Sequence, residues 1–274
     1  MLFCDIAFAR RIERAEQDLL VAATTNVRQR LPDVFGGEVG GGFAAFTETG
    51  SPLNKVLGLG FAPFDESAWP AVEREYHRRA AAVQVEVSTL ADPAVARFLT
   101  ARGYHLVGVE NVLGRALGES LVAPRSDVGV EISPPTSLAP WLDVVVTGFL
   151  APDTQGVASH ESFDREVLER IMGDFASAAG VERFLARRGE AVAGGGTMRR
   201  HDGIAQMCGA STLPAHRRRG VQSALLAFRL DHAARHGCDL AVVTTLPGSK
   251  SQQNMQRQGF ELLYSRNVLV REPT

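Results

Sequence analysis

The chain has 274 residues, 45% hydrophobic and 22% charged, a globular balance that excludes a disordered, collagen-like or disulfide-scaffold protein. At about 100–200 residues per domain, this length suits one large domain or two modest ones. The 31 acidic residues offset the 29 basic ones to a net charge of −2, so no basic stripe marks a nucleic-acid binder.

In chain order, a long helical pattern comes first, over residues 8–31. GGEVGGG (36–42) follows and leads into strand-like sequence instead of a helix start. It therefore predicts a hairpin or loop and not a phosphate loop. Next come a strand at 55–61, a helix at 65–80, and a strand–short helix–strand run over 85–115. ALGESLVAPRSDVG (116–129), rich in small, polar and proline residues, has the composition of a linker. Beyond it lie a short strand (130–133), helices at 138–150 and 163–178, and strands at 181–188, 190–200 and 204–212. The amphipathic helix 222–237 stops at Gly237, and a final strand–short helix–strand run ends at 271. GGG at 194–196 sits within a strand, where it predicts close backbone packing.

Two of these runs match without gaps at an offset of 156 residues, 85–115 on 241–271. Thr89 falls on Thr245, Gly103 on Gly259, Tyr104 on Phe260, and Asn111-Val112-Leu113 on Asn267-Val268-Leu269. The chain thus reads as two copies of one α+β unit, divided as 1–118, a linker at 119–129, and 130–274.

Three cysteines, Cys4, Cys208 and Cys238, cannot all pair with one another, and no C-x-x-C is present to hold zinc. No stretch approaches the roughly 18 apolar residues of a membrane span, and the opening MLFCDIAFARRIERAEQDLL lacks the apolar core of a secretory signal. The expectation is a soluble, cytoplasmic protein with no metal, nucleic-acid or membrane partner, as monomer or homodimer. H-E-x-x-H, G-x-S-x-G and P-loop motifs are all missing.

The most informative stretch is AQMCGASTLPAHRRRGVQSALL (205–226). A strand runs into a turn at Pro214, and Arg217–Arg219 and Gly220 then open a helix. The first N–H groups of a helix lack intrahelical acceptors, and its dipole adds about half a positive charge. Such a turn suits a pyrophosphate. The bare pattern also fits a plain β–α turn with solvated arginines.

Arg217-x-x-Gly220-x-Gln222 resembles the Arg/Gln-x-x-Gly-x-Gly/Ala motif of the GNAT superfamily of acyl-CoA-dependent N-acetyltransferases. Thr212-Leu213-Pro214 and Ser223-Ala224-Leu225-Leu226 resemble its flanking segments, and Gly259-Phe260 resembles its Gly-Phe turn. Element order carries the resemblance over 130–271. It implies a mixed, mostly antiparallel twisted sheet flanked by helices in each half. It also implies acetyl-CoA as co-substrate in a cleft between two parting strands. Backbone groups of Ser211, Thr212 and Leu213 would take the pantetheine. The amides of Arg218, Arg219, Gly220, Val221, Gln222 and Ser223, beside Arg217, would take the pyrophosphate. An N–H near Cys208–Ala210 would polarise the thioester carbonyl. Ser251 and Asn254 would face the pantetheine or sulfur. The implied reaction is direct acetyl transfer to a primary amine of a small molecule or peptide.

Two residues depart from the pattern. Gln222 replaces a Gly/Ala, and Met255 stands where many members carry a tyrosine that protonates the leaving thiolate, which a thioether cannot do. Together they motivate an alternative, a non-catalytic acyl-CoA-binding sensor. Glu161, beside His160, is the candidate base by family analogy, although Ser162 could simply cap the next helix. Tyr264 is the candidate substitute acid, with a half-buried core tyrosine as the plain alternative. Cys208 reads as packed and inert, and His216 as solvated. At the 156 offset, Phe61 and Phe64 fall opposite Arg217 and Gly220 while Asp65 and Glu66 add negative charge. The first copy is therefore expected to have lost its cofactor site.

Overall fold

The computed structural model describes residues 1–118, 127–152, 157 and 163–273. Its elements in chain order are α1 (Ile6–Arg30), β1 (Phe35–Val39), β2 (Gly42–Phe46), β3 (Lys55–Leu57), α2 (Trp69–His77), β4 (Val83–Ser88), α3 (Pro93–Ala101) and β5 (His105–Ala116). There follow β6 (Val128–Ile132), α4 (Leu138–Leu150), α5 (Arg165–Ala176), β7 (Val181–Arg188), β8 (Ala191–His201) and β9 (Ile204–Thr212). The chain closes with α6 (Val221–Arg235), β10 (Leu240–Thr245), α7 (Lys250–Arg257) and β11 (Glu261–Arg271).

Local chemistry sets the element ends. The Asp5 carboxylate accepts from Phe8 N–H at 2.8 Å and starts α1 two residues before the apolar periodicity does. The start of α5 is capped by Asp164, which accepts from the N–H groups of Glu166 and Val167 at 2.9 and 3.2 Å. GGEVGGG forms the β1–β2 hairpin, turned at Gly40 and Gly41 with φ of +53° and +78°. The strand expected over 55–61 stops at Leu57, because Gly58 and Gly60 adopt left-handed conformations at φ +82° and +83°.

The chain forms two compact units. One gathers residues 3–112 and 262–274, the other residues 113–261. Both are α+β with mostly antiparallel sheets. In the first unit the strand order is β1-β2-β3-β4-β11-β5, so the last strand of the sequence lies between β4 and β5. It pairs antiparallel with β4 from Arg266↔Ser88 to Arg271↔Val83. The linear division at 118 and 130 and these units differ chiefly in this strand.

One buried ion pair, a phenol hydrogen bond and a partly exposed ion pair hold β11 in the first unit. Arg266 Nε donates to Glu13 Oε1 of α1 at 2.7 Å, with both side chains 2% exposed. Tyr264 OH donates to the same oxygen at 2.6 Å, and Arg271 Nη1 to Glu73 Oε1 of α2 at 2.7 Å. Beside this set, Lys55 Nζ donates to the buried Glu86 Oε1 at 2.9 Å. Burial alone would raise the Glu86 carboxyl, but Lys55 and Arg266 overcome it and hold it below the usual range.

The parallel step from β3 to β4 in this unit is paired at Val56↔Val85 alone, and the chain closes the space beyond. Gly60 O accepts from Asp92 N–H at 2.9 Å, and a Cβ on Gly60 would lie 2.7 Å from Ala91 Cβ. Phe64 packs edge-on against Phe98, and a Cβ on Gly40 would lie 2.4 Å from its ring.

In the second unit the order is β10-β9-β8-β7-β6, with residues 113–116 of β5 beside β10. A Cβ on Gly194 would lie 2.7 Å from Val221 of α6, and one on Gly195 would lie 2.9 Å from Val145 of α4. Successive strand residues point to opposite faces, so α4 and α6 cover opposite faces of this sheet. The glycine run is what lets both helices approach.

Replacing Arg266 with Met leaves the Glu13 carboxylate buried without its ion partner. Loss of one member of such a pair typically costs about 3–5 kcal/mol. Urea unfolding of Arg266→Met should show a loss of this order, and an unchanged midpoint would refute it.

Candidate functional site

The site is built where β9 and β10 part. These strands run parallel and pair at Ile204↔Leu240, Ala205↔Ala241 and Gln206↔Val242, and no further pairs follow although β9 continues to Thr212 and β10 to Thr245. On its other edge β9 keeps its antiparallel pairing with β8, but the register shifts between Gly195 and Thr197. Gly209, at φ +54°, lies opposite this shift and forms a bulge. Thr197 Oγ1 donates to Cys208 O at 2.8 Å and steadies the strand beside it.

At the end of β9 the chain makes one 3₁₀ turn, Pro214–His216, and then two left-handed residues, Arg218 at φ +57° and Gly220 at φ +78°, before α6 begins. The first intrahelical bond runs from Ala224 N–H to Gly220 O at 2.9 Å. No side chain caps the start of α6, so the amides of Val221, Gln222 and Ser223 stay available to an acceptor from outside. A left-handed, non-glycine Arg218 costs about 1–2 kcal/mol, and strain of this kind gathers at functional turns. Alternating backbone handedness ahead of a helix gives a concave set of N–H groups suited to an anion. Arg218 and Arg219 are exposed beside it, and Arg219 lies near enough to Asp127 to help lower that carboxylate, after the Arg188 hydrogen bond.

Arg217 behaves differently from its neighbours. Its Nε donates to Thr212 O at 3.3 Å, its Nη1 to Pro152 O at 3.4 Å and its Nη2 to Ala151 O. The side chain expected to meet phosphate instead ties the turn to the carbonyl end of α4. Ser211 makes a parallel tie, since its Oγ contacts Val144 O and Val145 O at 3.1 and 3.2 Å and fits only because residue 148 is glycine. The Gln222 side chain is likewise held, its Oε1 accepting from Asn254 Nδ2 of α7 at 2.6 Å. The departure at Gln222 thus engages Asn254, a residue expected to face the pantetheine, and the polar bond turns Gln222 toward α7. Thr212 and Leu213 are half-buried at the end of β9, with Leu213 N–H bound to Ala193 O.

Ser251 lies exposed on α7, and Met255 is 5% exposed within the apolar core with Leu225 and Phe260. His216 is half-buried with its Nδ1 lacking a hydrogen-bond partner, so it is not simply solvated. Cys208 is half-buried. Tyr264 lies in the first unit instead of the site, and its phenol donates to Glu13. Burial foremost, with the Glu13 charge, pushes it well above the ordinary phenol value. Glu161, His160 and Ser162 lie outside the described residues. Among the described residues no group of three or more His, Cys, Asp or Glu could hold a metal ion, and no helix is long and apolar enough to cross a membrane.

Sequence reasoning missed the bulge at Gly209 and the ties made by Ser211 and Arg217. A glycine within a strand pattern was a usable signal for the first. No sequence pattern announces the other two, whose acceptors are main-chain carbonyls about 65 residues away in the chain.

Residues 149–260 match the model of the Acetyltransferase (GNAT) family. No curated protein matches the sequence. The fold is shared with a GCN5-related N-acetyltransferase from Kribbella flavida, at 18% identity and a TM-score of 0.70, covering 97% of this chain and 96% of that one. It is shared too with a tandem GNAT protein from the clavulanic acid biosynthesis pathway, at 14% identity, a TM-score of 0.60, and 86% and 79% coverage. A GCN5-related N-acetyltransferase from Sphaerobacter thermophilus follows at 16% identity, a TM-score of 0.56, and 75% and 67% coverage.

A Gly194→Ala variant places a Cβ 2.8 Å from Ser211 O and 2.7 Å from Val221 Cγ1, which would force α6 and the end of β9 apart. Overpacking of this kind costs about 1–3 kcal/mol. Gly129→Ala meets nothing within 4 Å and should change stability by less than about 1 kcal/mol. Denaturant midpoints of the two variants should separate accordingly; equal midpoints would refute the account of the glycine run.

Proposed function

We propose that the chain is an acyl-CoA-dependent N-acetyltransferase, with acetyl-CoA bound by residues 113–261. The observation that carries this reading is the uncapped, left-handed turn at Arg218–Ser223, which lies just beyond the parting of β9 and β10. The diphosphate would meet the amides of Arg218–Ser223, with Arg218 and Arg219 supplying positive charge. The pantetheine would pair with those backbone groups along Ser211–Leu213 that β8 leaves free, since the Leu213 N–H is already bound to Ala193 O. The acyl carbonyl would lie against the N–H groups near Cys208–Ala210. Residues free to act this way fit the substrate, while Arg217 and Asn254 are reassigned as residues that hold the turn and Gln222 in place.

In the transfer, the amine nitrogen attacks the thioester carbonyl carbon, a C–N bond forms, and the C–S bond breaks with its electron pair leaving on sulfur. The proton lost by the amine goes to a base or to water. A coenzyme A thiol leaves readily, so the buried Met255 need not prevent turnover. Glu161 remains the candidate base. The acceptor class is a primary amine of a small molecule or peptide, and the cytoplasm is the expected compartment. The first unit is proposed as a degenerate copy that shapes the protein without a cofactor of its own. Its filled β3–β4 step supports this, as does the likeness to a structure itself described as a tandem GNAT protein. Met255 also favours a second reading, a non-catalytic acyl-CoA sensor, which predicts the same binding without turnover.

Acetyl-CoA at one hundred times its dissociation constant should stabilise the protein by about 2.7 kcal/mol in a thermal-shift measurement. Gly220→Glu should abolish the shift, because a carboxylate then faces the diphosphate position from a backbone conformation that disfavours a side chain. Phe64→Ala should lower stability and keep the response. No shift with acetyl-CoA or free CoA would overturn both readings. Thiol release across amines, amino acids, polyamines and peptides separates the enzyme from the sensor.

A further inference from the structure

Arg229 lies two turns into α6 and is 2% exposed. Burying a cation is costly unless an anion or a full set of acceptors receives it. Among the described residues Arg229 has no carboxylate partner: Nε donates to Leu225 O at 3.2 Å and Nη1 to Thr197 O at 2.8 Å. Elsewhere in the second unit Glu182 of β7 takes Arg200 of β8 and His232 of α6, and Glu131 of β6 takes Arg187, while Arg199 of β8 reaches the neutral Gln206 and Arg183 reaches main-chain carbonyls. Arg229 differs from these in being the fully buried one within α6. Burial lowers the Arg229 guanidinium to about 10, and the one titratable side chain acting against that shift is the Cys208 thiol on β9.

The location is as specific as the isolation. Glycine at 196 gives the guanidinium room, since a Cβ there would lie 3.2 Å from Nη1 and 3.2 Å from Ala210 Cβ. Arg229 therefore lies against the sheet under the shifted register of β8 and the Gly209 bulge. The peptide it grips, at Thr197, belongs to the residue whose hydroxyl holds Cys208 O. A positive charge with no protein counter-charge, set beneath the strand segment assigned to the thioester, is arranged to receive negative charge there.

We propose that Arg229 is a positioning residue whose buried charge, acting through the Thr197–Cys208 strand pair, stabilises the negative charge that develops on the acyl oxygen and on the departing sulfur. This rests on the acyl-CoA reading above and adds a residue to it. During transfer the C–S electron pair collapses onto sulfur, and the guanidinium favours that thiolate without giving up a proton.

Free CoA bound to the full chain tests this without an acceptor. A cation that favours thiolate lowers the bound thiol below its value in free CoA, so affinity must rise with pH between the bound and free values. Calorimetric titration of CoA from about pH 6 to about pH 10 should show at least a tenfold gain, corresponding to one pKa unit. Desulfo-CoA, which lacks the thiol, subtracts every other titrating group. Arg229→Gln keeps a donor for Thr197 O but loses the charge and should lose most of the sulfur-dependent gain. Arg229→Lys should retain it, and Arg229→Met serves as the neutral variant if Gln does not fold. A wild-type protein with no sulfur-dependent gain, or an equal gain in wild type and neutral variants, overturns the proposal. If neither CoA nor desulfo-CoA binds wild type, the acyl-CoA reading itself fails and takes this one with it.

Discussion

When β9 and β10 stop pairing after Gln206 and Val242, the backbone groups on their facing edges lose their ladder partners, and buried groups without partners are costly. A protein can meet that cost by flooding the gap, by filling it with its own chain, or by offering it to a ligand with amide-like groups of its own. In the second unit, among the described residues, Ser211 and Arg217 are tied back to the carbonyl end of α4 instead of reaching across the gap. The left-handed turn at Arg218 and Gly220 then aims the first amides of α6 across the end of that gap.

The first unit shows what the same parallel step does without those features. Beyond Val56↔Val85, the backbone of Gly60 binds Asp92, Leu59 is buried, and Phe64 occupies the hollow against Gly40 and Phe98. Space that would admit a ligand becomes apolar core. The carboxylates of Asp65 and Glu66 at the following helical turn would also repel an anion. The two segments matched by the sequence repeat thus differ at the step that follows a parting pair of parallel strands.

Much of this was legible in the sequence because it depends on local rules. The 156-residue offset, the turn residues Pro214 and Gly220, the amphipathic helix after them and the glycine run at 194–196 each act through neighbours in the chain or through simple packing. The placement of β11 was not legible. Its sequence matches the closing strand of the first copy, so the repeat assigns it to the second. The choice of partner is made by Glu13, more than 250 positions away, which accepts from both Tyr264 and Arg266. The same contact bears on Tyr264, which the sequence leaves between an acid and a core tyrosine: its hydroxyl donates to the buried Glu13 carboxylate, a partner no local pattern announces. Within the site, Gln222 and Asn254 looked like one departure and one ordinary ligand until their bond joined them.

Buried charge separates the two units further. In the first, Arg266 and Glu13 meet at 2.7 Å and Lys55 meets Glu86 at 2.9 Å, so each buried cation has an anion and the set works as a fastening. Such pairs are close to neutral for stability when compared with a well-packed apolar core, and their value lies in fixing which strand goes where. Arg229 has the burial without the anion, and two carbonyl oxygens are a weak substitute for a carboxylate. A leucine or methionine would fill the same helix position at lower cost. Retaining a guanidinium there, under a glycine that makes room for it, is economical only if the missing negative charge arrives with something that enters the gap above.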